Sequence, residues 1–544
     1  MKIALAQLNY IIGDFDKNFI KIKNAIIEAQ TKGAELILFG ELSITGYPPR
    51  DFLEFSDFIN RSNEVIDKIK SLTNEIAVVV GAPAVNPNIE GKDLFNAAYF
   101  IYKNEVQYVA HKALLPTYDV FDEYRYFEPA KEFSVVEFKG KKIALTICED
   151  IWNIANENPL YTICPMDILI QQKADLILNL SASPFSYTQA ESRKNIVKAN
   201  SKRYGIPLIY VNHVGAQTEL IFDGGSLVSN SKGEIVKELN YFEESIEIVD
   251  VAEINKLPIQ EQNTSKIERI HKALVSGIKN YFQKLGFKKA VLGLSGGIDS
   301  ALVLALTVEA LGNENVLSVL MPSQYSSNHS VDDSLQMVKN LNSPYKIIPI
   351  KDMYYEVEKN LNPHFEGKEA DVTEENIQAR LRGLTLMAMS NKLGYILLNT
   401  TNKSEAAVGY GTLYGDMCGG LSVIGDLYKN LVYELAEYIN RNKEIIPKNI
   451  ITKAPSAELR PDQKDSDSLP DYDLLDAVLY QYIEKQQGPK EIIAMGYDEK
   501  LVNRVLKLVN MSEWKRHQMA PVLRISTKSF GMGRRMPIVA KYLG

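Results

Sequence analysis

Glu41, Lys112 and Cys148 are residues of the kinds that, brought together, run nucleophilic chemistry at a carbonyl carbon. A cysteine attacks as its thiolate, so it needs one group to take the proton and another to face the negative charge that follows. A carboxylate in a closed pocket can have its pKa raised enough to serve as general base. A fixed ammonium lowers a thiol pKa and can face the oxyanion of a tetrahedral intermediate. In the second half, Ser295-Gly296-Gly297 joins an apolar run, Ala290 to Leu294, to a helical pattern, Ile298 to Leu311. Glycines let backbone approach a ligand closely, and a helix start offers unpaired amide hydrogens at a positive dipole end. Those are the requirements of a phosphate cradle. The turn carries neither Gly-Lys-Ser/Thr nor GxGxxG, so it is not a Walker or dinucleotide loop.

Taken singly, each feature also has a plainer reading. A cysteine ending an apolar strand is commonly a small buried hydrophobe. Lys112 alone reads as a solvated lysine, Glu41 as a helix cap or half of an ion pair, and the glycine turn as a turn that simply needs glycine.

The elements that must position these residues alternate along the chain. In the first half, strands are expected at Ile3 to Leu8, Glu35 to Phe39 and Ile76 to Val80, with helices at Lys17 to Thr31 and Phe58 to Leu72. A hairpin, Ala97 to Tyr102 and Val106 to His111, turns at Asn104-Glu105. Further strands follow at Lys142 to Ile147, Leu176 to Leu180 and Leu208 to Val211. Glu41, Lys112 and Cys148 each fall just after one of these strands, and mixed sheets covered by helices make a layered α/β domain.

The polar stretch AEINKLPIQEQNTSK has one proline and no sustained periodicity. It divides the chain into a first domain at 1–254, a linker at 255–265 and a second domain at 266–544. The second domain opens on a helix, Lys266 to Leu285, with strands at Ala290 to Leu294, Val316 to Met321, Tyr345 to Ile350 and Tyr395 to Asn399, and a long helix at Glu374 to Asn391. Strands alternating with helices predict a doubly wound, mainly parallel sheet with its ligands at the carboxyl ends of the strands.

The bulk properties narrow the function class. At 544 residues two large domains are the default. With 45% hydrophobic and 24% charged residues the composition is that of an ordinary globular protein. The net charge of -7 and the lack of a basic block speak against a nucleic-acid partner. Three scattered cysteines make neither a disulfide framework nor a zinc site, which fits a reducing, cytoplasmic setting. No uninterrupted apolar stretch has membrane-spanning length. The opening MKIALAQLNYIIGDF, broken by Gln7, Asn9 and Asp14, is not expected to act as a leader.

Longer strings sharpen the reading. SGGIDS resembles the pyrophosphate loop of the N-type ATP pyrophosphatases. Glu-Lys-Cys in chain order resembles the nitrilase superfamily of carbon–nitrogen hydrolases. ELSITGYPP, KALLPTYDVFDEYRYF, ICEDIW, LNLSASPF and YVNHVGAQTELIFDG narrow the latter to the glutaminase domain of the glutamine-dependent NAD synthetases, and ENIQARLRG and NKSE match their synthetase domain. The resemblance implies a nitrilase-like αββα sandwich followed by an ATP-pyrophosphatase domain. Ammonia from glutamine would amidate nicotinic acid adenine dinucleotide after its adenylation by ATP. A rival reading keeps both domains and changes the acceptor.

By this resemblance Glu41 is the base, Lys112 the oxyanion and thiolate partner, and Cys148 the nucleophile. Tyr47, Tyr118, Glu149, Ser181 and Ser183 would hold glutamine, and Glu128 would be a second, orienting glutamate. Ser295, Gly296, Gly297, Asp299, Ser300, Thr400, Lys429 and Ser456 would meet ATP; Asn376, Arg380, Asp416 and Lys429 the deamido dinucleotide; Asp299 and Glu405 a magnesium ion. The stretch ITKAPSAELRPDQKDSDSLPDYDLLD would be a mobile lid. An enclosed ammonia passage and a homo-oligomer are also implied. Four positions depart from the family pattern: Gly40 for proline, Thr117 for asparagine, and Asn399 and Thr401 for glycines, the last two implying a narrower adenine side.

Overall fold

Two compact units form, Met1–Thr264 and Ser265–Gly544. The computed structural model describes residues 1–544 except 159, 457, 461, 462, 464, 468 and 544.

The first unit is built on two six-stranded mixed sheets. One runs in the order Ser245–Asp250, Lys2–Gln7, Leu36–Leu38, Ala77–Val85, Leu94–Tyr102, Glu105–His111. The other runs Ile235–Glu238, Leu227–Ser229, Leu208–Val211, Leu176–Leu180, Lys141–Ile147, Val136–Phe138. Ile3, Leu5, Leu36, Leu38 and Val79 of the first sheet share one buried cluster with Ile143, Leu145, Leu176, Leu178 and Ile209 of the second. The sheets therefore pack face to face. Successive strand residues point to opposite faces, so Ala4, Ile37 and Val78 meet the helices Phe15–Thr31 and Ser56–Lys70 on the outer side. Ala144, Ile177 and Tyr210 likewise meet the layer holding Pro165–Gln171 and Gln189–Tyr204. This is the expected αββα sandwich, its strands apolar on both faces because both are covered.

The second unit carries a five-stranded parallel sheet ordered Tyr345–Ile347, Val316–Leu320, Ala290–Gly293, Ile396–Asn399, Leu421–Ser422. Chain order reverses between Ala290–Gly293 and Ile396–Asn399. In such sheets the crevice beyond the carboxyl ends at that reversal is where ligands bind. The loops that leave these two strands carry Ser295-Gly296-Gly297 and Thr400 to Glu405. Among the described residues no helix is long and apolar enough to cross a membrane.

The differences from expectation have local causes. The hairpin turns at Lys103-Asn104, not Asn104-Glu105: Tyr102 pairs with Glu105, and both turn residues have positive φ, 52° and 62°, as a two-residue primed turn requires. Tyr345–Ile347 stops short of Ile350, where Pro349 has no N–H to continue a ladder. The stretch from 255 to 264 is tied to the first unit. Gln260 N–H donates to Ile235 O at 2.9 Å, Gln262 N–H to the Glu238 carboxylate at 2.7 Å, and Lys198 pairs with Glu261 at 2.8 Å.

Candidate active sites

Lys141–Ile147 ends in Cys148, which opens a tight 3-10 turn, Cys148–Ile151. Cys148 has φ 43°, in the left-handed region that a residue with a Cβ seldom adopts. Surroundings that over-determine such a conformation are found where a side chain has to be aimed, and here Asp150 does the fixing. Its Oδ2 accepts from Ile147 N–H at 3.0 Å, while Oδ1 accepts from Ala113 N–H at 2.9 Å and Leu114 N–H at 3.0 Å. One buried carboxylate thus ties the nucleophile turn to the segment that follows Lys112.

Lys112 and Glu41 are both fully buried and meet at 2.6 Å. Lys112 Nζ also donates to both Glu123 oxygens at 2.8 Å. The Asn96 amide donates to Glu41 Oε1 at 2.7 Å and Glu123 Oε2 at 3.3 Å, and Tyr47 OH donates to Glu123 Oε1 at 2.8 Å. Ala182 N–H donates to Glu41 Oε2 at 3.1 Å. Two carboxylates therefore share one ammonium beside a buried thiol. Burial alone would push the Lys112 ammonium down, but the Glu123 and Glu41 charges outweigh it and hold its pKa well above the usual range. Burial pushes the Glu123 carboxyl up; Lys112 opposes this and the Glu41 charge adds to it. Burial also pushes the Cys148 thiol well up, Glu41 adds to that, and Lys112 pulls the other way without restoring it. The thiol therefore rests protonated, which gives a general base work to do.

Glu123 was missed in the sequence, and Glu128 does not take the orienting role expected of it. Glu128 accepts from Lys92 N–H at 3.2 Å and pairs with Lys131 at 3.5 Å, away from Lys112. The DEYRY string holds the only local signal for Glu123, and its 3-10 turn Glu123–Arg125 has no periodicity to read. Tyr47 reaches the site through Glu123. Tyr118 OH donates to Glu149 Oε1 at 2.9 Å, joined there by Tyr161, which was not anticipated. Ser181 and Ser183 flank the Ala182 amide that holds Glu41, but the Ser181 hydroxyl donates to Asn179 Oδ1 at 2.7 Å and Ser183 Oγ accepts from Gln189 at 3.4 Å. Gly40 has a plain cause: a Cβ there would land on the His213 ring and 3.0 Å from Ser181 O. Thr117 is exposed.

In the second unit, Gly296 has φ 76°, and a Cβ there would strike the Ser330 backbone. Ser295 Oγ accepts from Gly297 N–H at 3.2 Å and lies 3.1 Å from Ser300 Oγ, which donates to Gly297 O at 3.0 Å. The loop is thereby closed onto the start of the helix Ile298–Leu311. Ser295, Gly297, Asp299, Ser300, Thr400, Glu405 and Lys429 line one cavity of about 480 Å³ together with Asn376, Asp416 and Ser456. Inside it Lys429 Nζ meets Asp299 at 2.5 Å and Glu405 at 3.5 Å, and Asn402 donates to Asp299 Oδ1 at 2.9 Å. Burial, then the Asp299 charge, pushes Glu405 up to about 8 against the pull of Lys429. Among the described residues no group of three or more potential metal ligands occurs. Asp299 and Glu405 nevertheless fit magnesium, which takes one or two carboxylates and keeps its other positions for water and substrate phosphate.

Asn376 and Arg380 diverge. Asn376 Oδ1 accepts from Thr412 Oγ1 at 2.7 Å in the cavity wall, whereas exposed Arg380 donates to Leu413 O at 3.3 Å on a neighbouring apolar recess lined by Leu384, Met387 and Tyr414. The Asn399 expectation also needs correction. Its amide donates to Asp416 O at 2.8 Å and accepts from Thr401 N–H at 3.0 Å, so it pins the Asp416 loop from beneath; Thr401, not Asn399, lines the cavity. Asp416 Oδ1 accepts from Thr412 N–H at 2.8 Å, and burial pushes its carboxyl up.

Two further residues were missed. Lys515, from the short helix Glu513–Arg516, lines the cavity and donates to Gly409 O at 2.9 Å and Gly411 O at 2.8 Å. Asp465 accepts from Tyr472 at 2.9 Å and Tyr410 at 3.2 Å. Of the stretch expected to form a lid, residues 457, 461, 462, 464 and 468 lie outside the described residues. Of the described part, Ser456, Glu458, Leu459, Gln463 and Asp465 line the cavity, while Tyr472 opens the packed helix Tyr472–Ile483. Ser456 Oγ donates to Gln463 O at 2.5 Å, and Glu458 accepts from Ser327 Oγ at 2.9 Å and Ser330 Oγ at 2.7 Å.

Comparison with known proteins divides the chain the same way. The carbon–nitrogen hydrolase family matches residues 2–256 and the NAD synthase family residues 270–519. A glutamine-dependent NAD(+) synthetase from Synechocystis is 44% identical over 550 residues, covering 99% of both chains. One from Thermotoga maritima is 39% identical over 585 residues, covering 100% of this chain and 99% of its own. A solved structure of glutamine-dependent NAD+ synthetase from Acinetobacter baumannii, in complex with adenosine diphosphate, is 38% identical with a TM-score of 0.79. It covers 99% of this chain and 98% of its own.

Proposed function

The chain belongs to the glutamine-dependent NAD synthetase family, and from that premise we propose how its two units divide the reaction. The observation that carries the division is that nucleophile, base and ammonium share the first unit, while the phosphate cradle and its buried cation share the second. The first unit hydrolyses glutamine. Glu41 takes the Cys148 proton as the sulfur attacks the side-chain amide carbon, and Lys112 faces the oxyanion. Glu41 then returns the proton to the departing nitrogen, which leaves as ammonia. A water activated by the same carboxylate cleaves the thioester and frees glutamate. Glu149 meets the α-amino group of the bound glutamine.

In the second unit the nicotinate carboxylate attacks the α-phosphorus of ATP and pyrophosphate departs. Ammonia then attacks the acyl carbon, AMP leaves, and NAD is formed. Ser295, Gly297 and Ser300 hold the pyrophosphate at the helix start, and Lys429 meets the charge that develops on it. Asp299 and Glu405 would hold magnesium, which when bound supplies charge neutralisation for the leaving pyrophosphate. Asn376 and Asp416 line the acceptor end. Domain limits near 264 and 265 follow from the same division.

The purified chain, given deamido dinucleotide, ATP, magnesium and glutamine, is expected to form NAD, AMP and pyrophosphate in equal amounts, with ammonia replacing glutamine in a parallel reaction. Release of ADP and phosphate instead would overturn the adenylation. A second prediction concerns Glu123, a positioning residue. Glu123→Gln keeps the shape but drops the charge that fixes Lys112, so kcat for glutamine should fall about 10²-fold while KM moves little. A loss confined to KM would assign Glu123 to substrate binding instead.

A further inference from the structure

Glu149 leaves the nucleophile turn almost fully buried, and two hydroxyls donate to the same oxygen, Oε1: Tyr118 at 2.9 Å and Tyr161 at 2.9 Å. Tyr161 comes from a separate loop. Its ring packs with Ile163 against Ala113, Leu114 and Ala130, the apolar cluster that directly follows Lys112. The loop is closed by Tyr161 N–H donating to Asn158 O at 3.1 Å and by the Asn153 side chain. That side chain donates to Ile163 O at 2.7 Å and accepts from Asn158 N–H at 3.0 Å. The hydroxyl is therefore aimed by a packed ring and a closed loop, not by a side chain reaching out from the surface.

Both hydroxyls donate to Oε1, so neither of them occupies Oε2. A carboxylate held in that way suits an ammonium group, since a charge-assisted bond is strong only when the anion is kept in place. We infer that Tyr161 is a specificity-determining residue: together with Tyr118 it orients Glu149 so that the first unit prefers carboxamides bearing an α-ammonium group. The inference rests on the reading of Glu149 as the α-amino partner. Charge supports it. Burial pushes the Glu149 carboxyl up, the Lys112 ammonium and then the Tyr161 and Tyr118 hydroxyls pull it down, and the Glu123 charge pushes it up again. The Glu149 charge in turn adds to the rise of the Cys148 thiol, after burial and Glu41. Without the Tyr161 hydroxyl, Glu149 would therefore hold its proton to higher pH.

The test compares glutamine with glutaramic acid, the same side-chain carboxamide without the α-amino group, in the full-length protein and in Tyr161→Phe. The ratio of kcat/KM for glutamine over glutaramic acid is expected to fall about ten-fold, the effect of one hydrogen bond to a charged group. The acid limb of kcat/KM for glutamine is expected to move to higher pH. An equal fall for both substrates, or an unmoved acid limb, would reduce Tyr161 to a packing residue and overturn the inference. Glu149→Gln separates this from the reading beneath it. If that variant leaves the substrate ratio intact, the α-amino role of Glu149 fails. If it collapses the ratio while Tyr161→Phe does not, only the role of Tyr161 fails.

Discussion

Cys148→Ala is expected to abolish NAD formation from glutamine, by roughly 10⁴-fold or more, while NAD formation from ammonia continues. The size of the loss follows from the site. Sulfur is the atom that bonds to the amide carbon, and the cluster around it offers carboxylates, an ammonium, the Asn96 amide and a Tyr47 hydroxyl already given to Glu123, none of which takes its place. The buried thiol is held protonated by desolvation and by Glu41. The reaction thus begins with a transfer from sulfur to carboxylate, and removing either end stops it. Alanine keeps the Cβ and removes one buried atom, so the φ of 43° and the Asp150 bonds that enforce it should survive. Measuring NAD with each nitrogen source on the same preparation checks this. Equal loss from both would contradict the division between the units.

The parts of this arrangement that could be read from sequence are those whose chemistry is tied to a strand end. Cys148, Lys112 and Glu41 each follow a strand, and the apolar runs that predict those strands also place the residues. Residues placed by tertiary structure gave no such signal. Asn96 is an example: the strand Leu94–Tyr102 was expected to start only at Ala97, because a buried asparagine interrupts the apolar pattern. That asparagine is polar because it holds Glu41 and Glu123. Gly81 similarly hid the far half of Ala77–Val85; it is glycine because the Leu42 backbone crosses it closely. Glu123, Asp150 and Tyr161 sit on turns and loops whose backbone is set by what they touch, so periodicity is silent there. In the second unit the parallel sheet was legible as alternation of strands and helices, but its order and the two-residue edge strand Leu421–Ser422 were not, since they are set by packing and not by local pattern.

Lys429→Met is expected to remove NAD formation from both nitrogen sources, by on the order of 10³-fold or more, and so to behave unlike Cys148→Ala. Methionine matches the length and apolar stem of lysine, and what goes is the charge. In the native site that charge stands between Asp299 at 2.5 Å and Glu405 at 3.5 Å, with the Tyr472 ring 5.3 Å away. Burial works against the ammonium, but the Asp299 and Glu405 charges outweigh it and raise its pKa. Lys429 therefore stays charged at any pH at which the enzyme works. Its removal leaves two carboxylates facing each other in a buried crevice with no cation of the chain between them, at the place where pyrophosphate must depart. Like charges brought together in low dielectric oppose ionisation, so Glu405, already raised to about 8 by burial and Asp299, would bind its proton more firmly still. A protonated Glu405 is a poor ligand for magnesium. The variant should thus need more magnesium for any residual turnover, and pyrophosphate release should fall in step with NAD. Lys429→Arg restores charge in a planar fork that does not fit between two carboxylates set for a point charge, so it should recover only part of the rate. Full NAD formation from ammonia in Lys429→Met would show that the leaving group is met by another cation. Lys453 and Lys515, which line the same cavity, would then be the residues to test.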